Sequence, residues 1–202
     1  MAVTTQTDLR SVYREPAARA IQKVLDHLDG HCQHFIALSP LCILSSTDAK
    51  GCADASPRGD SPGFVQVLDE QTLLLPDRPG NNQVDSLQNI VSNPGVGLLF
   101  LVPGMNETLR VKGTAEIVTD PALLTPLTVQ RKAPLSGLRI TVTAAFLHCG
   151  RALLRSRLWD PAVQIARSSY PTYGQVLADQ IQGTDAREID EAEADANRRR
   201  LY

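Results

Sequence analysis

The sequence predicts a mainly β fold with flanking helices, an antiparallel barrel of six to seven strands. Three observations carry this prediction. From Leu41 onward, short apolar runs alternate with clusters of Gly, Pro, Asn and Asp, spaced too closely for helices. Val96-Gly97-Leu98-Leu99-Phe100-Leu101 has no polar position, as expected of a strand buried on both faces. The connections between runs are short, which favours antiparallel pairing, and closure into a barrel removes exposed edges.

The elements follow in order. Periodicity predicts a helix over residues 13–28, with Pro16 in its first turn and Ala17, Ala20, Ile21, Val24, Leu25 and Leu28 on one face. Gly30 then reads as its C-cap. Residues 34–38 read as a short helical turn leading to Pro40. Strands are expected at 41–46 and 52–57, joined by the hairpin turn Thr47-Asp48-Ala49-Lys50-Gly51. Two more are expected at 64–68 and 72–75, before Pro76-Asp77-Arg78-Pro79-Gly80 breaks the sheet. A helix over 82–91 ends at Asn93-Pro94-Gly95. Strands at 96–101, 107–119 and 137–147 complete the set, with a helix or turn between Asp120-Pro121 and Leu127. A helix over 148–158 stops at Trp159-Asp160-Pro161. A short helix at 175–181 and a charged amphipathic stretch at 184–200 follow, the latter either a surface helix or an arm on another subunit. The chain thus divides into an N-terminal helical segment (1–34), the barrel (35–161) and a C-terminal helical tail (162–202).

Composition narrows the function. The chain has 202 residues and a net charge of −2, which leaves no broad basic face for nucleic acid. Aromatic residues make up only 4%, too few for a base-stacking platform. No apolar run reaches the ~18 residues of a membrane span, and the polar start MAVTTQTDLRSVYREP lacks the apolar core of a signal peptide. A cytoplasmic protein is expected. The four cysteines form no CxxC pair, and His31-Cys32-Gln33-His34 is too compact for paired metal ligands, so no metal site is expected. His148 and Cys149 with Cys52 offer a base and nucleophiles but no orienting third group, so no hydrolytic triad stands out.

The turns carry the candidate site. Ser56 and Arg58 end the second strand, where a hydroxyl and a forked cation suit an oxyanion. Asp77, Arg78, Asn81 and Asn82 surround Pro79-Gly80, with Asn81 or Asn82 able to cap the following helix and that helix N-terminus suited to phosphate. Arg110 and Lys112 alternate on one strand and share a face, either towards a ligand or towards solvent. Arg155, Arg157 and Trp159 follow the last strand, either towards a ligand or as a packed Trp with extended Arg stems.

Three segments give the chain a resemblance to a known family: ILSSTDAKGCADASPRGD, LLLPDRPGNNQVDSLQNIVSNPGVGLLFLVPG and TLRVKGTAEIV. Together they resemble the pyridoxamine 5′-phosphate oxidase-like, FMN-binding split-barrel family, over most of the chain, and HCGRALLRSRLWDP is similar to one of its subgroups. The resemblance implies a homodimer with FMN in two clefts lined by both subunits. It implies FMN-binding roles for Ser56, Arg58, Asp77, Arg78, Asn81 and Asn82, and for Arg155, Arg157 and Trp159 from the partner chain. The oxidases tend to have basic residues where Asn82 and Gln83 stand here. The implied activity is that of an oxidoreductase acting on a small molecule, with a nicotinamide donor or oxygen as partner. Flavin then carries the electron chemistry, so no particular catalytic side chain is singled out. The alternatives are a non-catalytic flavin-binding protein and a haem-binding or haem-degrading barrel.

Overall fold

Alternation of buried and exposed positions organises the sheet. The computed structural model describes residues 2–199 and Tyr202. Its strands are β1 (Leu41–Thr47), β2 (Ala53–Gly59), β3 (Gln66–Asp69), β4 (Thr72–Pro76), β5 (Gly95–Leu101), β6 (Thr108–Val118) and β7 (Gly137–His148). They form one antiparallel sheet in the order β2-β1-β5-β6-β7-β4-β3, curled round a core as a split barrel. Cys42 and Leu44 of β1, Leu98 and Phe100 of β5, Val111 of β6 and Ile140 of β7 all point into that core. β4 is apolar on both faces for a separate reason. Leu73 and Leu75 join the main core, whereas Leu74 packs on the other side against Leu124 and Leu127. Leu124 belongs to the short helix α5 (Pro121–Leu124), and Leu127 to the 3₁₀ turn that continues it.

The sheet contains one irregularity with structural weight. Lys112 pairs with Ala144 but Gly113 pairs with Val142, so Thr143 is an extra residue bulged out of β7. Below the bulge β7 pairs with β4. Above it, Ala145 exchanges two backbone hydrogen bonds with Leu25, at 3.0 and 2.8 Å.

That pairing overturns the helix expected over 13–28. The N-terminal segment instead holds α1 (Gln6–Val12) and α2 (Ala18–Gln22), then runs extended past Leu25. Ile21 and Val24, expected on a buried face, are 60% and 42% exposed, and only Leu28 reaches the core. Gly30 does not end a helix. It is the first residue of α3 (Gly30–Leu38), whose N-cap Asp29 accepts from the Cys32 N–H at 2.8 Å. Cap and sheet pairing outweigh a helical pattern that has no surface to bury against.

Past the barrel, α6 (Arg151–Ser156) is shorter than expected because β7 continues through His148. α7 (Tyr173–Gln180) and α8 (Ala186–Arg199) pack on each other. Their contact is close at Gly174, whose N–H donates to the Asp190 carboxylate at 2.8 Å. A Cβ at Gly174 would lie 2.1 Å from the Ala186 carbonyl. Cys32 and Cys42 are buried thiols pushed up to about 12 by desolvation, while Cys52 and Cys149 lie exposed.

Candidate functional site

A cleft of about 550 Å³ opens between the second half of β2 and the segment that leaves β4. Its volume is in the range of small-molecule sites. β2 supplies Ser56 and Arg58, and the β4 exit supplies Asp77, Arg78, Asn81 and Asn82. The six residues singled out along two separate stretches of sequence therefore line one cavity.

The backbone of the exit segment is unusual. The helix expected from residue 82 starts later, as α4 (Asp85–Ser92). Neither Asn81 nor Asn82 caps it, contrary to expectation: Asn81 Oδ1 accepts from the Gln83 N–H, and Asn82 is left-handed at φ 61°. The N-cap is Val84, at φ 51° and ψ 27°, with no side-chain bond to the helix. A β-branched residue in this region costs on the order of 1–3 kcal/mol and persists only where its surroundings impose it. Ile90 in the core anchors α4, and Ser86 Oγ donates to Asp54 of β2 at 3.0 Å. The result is a helix N-terminus facing the cleft without a side-chain cap, on a segment held out of its relaxed conformation.

Two ion pairs close the gap between the ends of β2 and β4, where no strand ladder runs. Arg58 Nη1 donates to Asp77 Oδ1 at 2.6 Å, and Arg78 Nε donates to Asp60 Oδ2 at 2.7 Å. Arg78 Nη1 also donates to the Leu127 carbonyl at 2.8 Å. The pairs run in opposite senses, each strand end giving one cation and one anion. Arg58 Nε is buried and has no hydrogen-bond partner among the described residues. A buried unsatisfied donor costs about 1–3 kcal/mol, more when charged, and calls for an acceptor.

Asp60 is the deepest charged group here, its side chain only 2% exposed. Burial acts to raise its pKa. Hydrogen bonds from the Tyr202 hydroxyl, the Ser61 N–H and Arg78 outweigh that and hold it below the ordinary carboxylate range. A depressed folded pKa contributes stability that is complete above the unfolded value of about 3.9 and lost as pH falls through the folded value. The urea midpoint should therefore fall as the pH drops below about 4, and Asp60→Asn should flatten that part of the profile.

Sequence reasoning missed several lining residues. Asp60, which lines a smaller neighbouring cavity and pairs with Arg78, sat two positions past Arg58 in a loop read only as a turn. Ser86 was hidden in a helix face, and nothing marked residues 133–135, which the fold brings to the rim. There Leu135 is 91% exposed, an apolar side chain at the cleft mouth. Within one chain, Arg155, Arg157 and Trp159 are not brought to this cleft. Arg157 pairs with Asp160 at 3.0 Å, Trp159 Nε1 donates to the Met105 carbonyl at 2.7 Å, and Arg155 is exposed. Arg110 and Lys112 stand on the outer face, with Arg110 stacked 5.4 Å from the centre of the Phe146 ring.

The fold is that of a split β-barrel with a cleft between β2 and the exit of β4, and comparison with known proteins identifies the family. The sequence profile described as Pyridoxamine 5′-phosphate oxidase matches residues 28–149. The chain belongs to the pyridoxamine 5′-phosphate oxidase family. No curated protein matches it. Among solved structures it is similar to a variant of HupZ from group A Streptococcus, with 21% identity, a TM-score of 0.50, and coverage of 60% of this chain and 99% of that one. An FMN-binding protein from Syntrophomonas wolfei gives 10% identity and a TM-score of 0.46, over 57% of this chain and 81% of that one. A protein from Clostridium acetobutylicum related to general stress protein 26 gives 14% and 0.44, over 58% and 85%. At these identities the likeness is one of fold alone. No helix among the described residues is long and apolar enough to cross a membrane.

Proposed function

We propose that this protein is an FMN-binding flavoprotein that oxidises or reduces a small molecule, with its cofactor held in the cleft between β2 and α4. The observation that carries this reading is Arg58, a half-buried guanidinium at a cleft of about 550 Å³, whose buried Nε has no partner among the described residues. Arg58 and Ser56, with the uncapped N-terminus of α4, are the donors a phosphate needs, and family membership supplies the class of ligand. Asp77 engages one Arg58 nitrogen and fixes the guanidinium plane without using up its donors. Phe64, Pro76 and Leu135 give the cleft the apolar walls that exclude water from a ring system. When bound, FMN supplies the hydride or electron chemistry; the chain's own residues bind and orient it.

Titration of the protein with FMN, followed by flavin fluorescence, should saturate in the micromolar range. No saturable change at tens of micromolar would remove the cleft from consideration as a flavin site. Turnover with NADH or NADPH then separates an oxidoreductase from a protein that only holds flavin.

The outer sheet face supports a dimeric reading. Leu41 and Ile43 of β1 lie in register with Leu101 and Leu99 of β5, which makes an apolar stripe continuing to Arg110 and Phe146. A monomer leaves this stripe and Leu135 in water, whereas a two-fold pairing covers them and brings a second chain towards each cleft. Light scattering should give about twice the 21.9 kDa chain mass, and a monomer that binds flavin tightly would rule out shared sites and any role for Arg155, Arg157 and Trp159 from a partner.

A further inference from the structure

Tyr202, beyond the end of α8, reaches back to the Asp60–Arg78 ion pair beside the cleft. Its hydroxyl donates to Asp60 Oδ1 at 2.7 Å, across 142 positions of sequence. Its ring centre lies 5.7 Å from the Arg78 guanidinium carbon. Lys132 Nζ donates to its backbone oxygen at 2.6 Å. These contacts come from three separate places: the end of β2, the exit from β4 and the loop before β7. Tyr202 thus supplies the donor that Asp60 Oδ1 shares with the Ser61 N–H, and one face of the cation that Asp60 Oδ2 holds. Arg78 lines the main cleft and also a smaller cavity of about 180 Å³ behind it, so whatever fixes Arg78 shapes the cleft wall.

We propose that Tyr202 is a positioning residue for the cofactor cleft: it straps the tail onto the Asp60–Arg78 pair and holds the Arg78 side chain in the geometry that the ligand meets. The proposal rests on the reading of the cleft as the FMN site. It makes the α7–α8 hairpin a mechanical partner of a site to which it contributes no lining residue. The hydroxyl orders the carboxylate and the ring screens the guanidinium, so the two halves of the side chain are separable.

The test has two arms. In the first, hydrogen exchange is measured on ligand-free protein. Tyr202→Ala should speed exchange over residues 60–64 and 126–129, the segments on either side of Arg78, and unchanged exchange there would overturn the strap. In the second, Tyr202→Ala should weaken FMN binding about three- to tenfold, the effect of losing one hydrogen bond and one cation–π contact. Tyr202→Phe, which keeps the ring, should fall between Tyr202→Ala and the unaltered protein. In an Arg78→Lys background the Tyr202→Ala loss should vanish, because the residue acts through the guanidinium. An equal loss in both backgrounds, or none in either, would overturn the positioning role. If the unaltered protein takes up no FMN, the cleft reading and the positioning role fail together, and the exchange arm still decides whether Tyr202 straps the pair.

Discussion

Gly113→Ala should destabilise the fold by about 3 kcal/mol or more, a large effect for a single added methyl group. Gly113 faces the bulge at Thr143, and there β6 and β7 approach so closely that a Cβ would lie 2.2 Å from the Thr141 carbonyl oxygen. The obstacle is backbone, with Ile140 Cγ2 at 3.1 Å beside it, so no rotamer change relieves it. The two strands must separate or the bulge must move. Moving it would shift the register of β7 and turn its inward residues outward. Thermal unfolding is the measurement: at this chain length, a 3 kcal/mol loss lowers the midpoint by roughly 6–12 °C. The same substitution at Gly80, where a Cβ meets nothing within 4 Å, is the control and should leave the midpoint nearly unchanged.

Arg58→Ala should weaken FMN by about ten- to a hundredfold. A hydrogen bond to a charged group is worth about 1.5–3 kcal/mol, and ~1.4 kcal/mol is a factor of ten in affinity. Arg58→Lys should recover only part of the loss, because an ammonium cannot reproduce the planar fork that Asp77 orients. Folding should survive both changes. Asp77 is 25% exposed on its side chain, so water can replace the lost partner. Arg198, exposed near the end of α8, is the control, and its replacement by Ala should leave FMN affinity untouched. Equal affinities for the Arg58 and Arg198 variants would take Arg58 out of the site.

The strands were legible because alternation is a local signal. β6 reads TLRVKGTAEIV, and its inward set Leu109, Val111 and Ala115 follows directly from period two. The candidate site was legible to the extent that its residues sat in turns, and six of them do line one cleft. What could not be read depends on distant partners. Leu25 is extended because Ala145, 120 positions later, offers it an open ladder above the bulge, and no local pattern announces that. Leu74 is buried because α5 covers the far face of β4. Helix α4 starts late because residues 77–84 are committed to the cleft, with Asn82 and Val84 in conformations their side chains do not favour. Local preference gave way where the cleft is lined.

The order of the sheet also limits how this protein can associate. Its outermost strands, β2 and β3, are poor templates for addition of a foreign strand. β2 carries Pro57, which has no N–H to offer, and the charges of Asp54 and Arg58. β3 is four residues long, with a register shift between Val67 and Asp69. Edge-to-edge growth into a continuous intermolecular sheet is therefore blocked at both margins. A proposed dimer would have to form through side chains on the broad outer surface, where a complementary two-fold fit closes on itself instead of running on into a fibre.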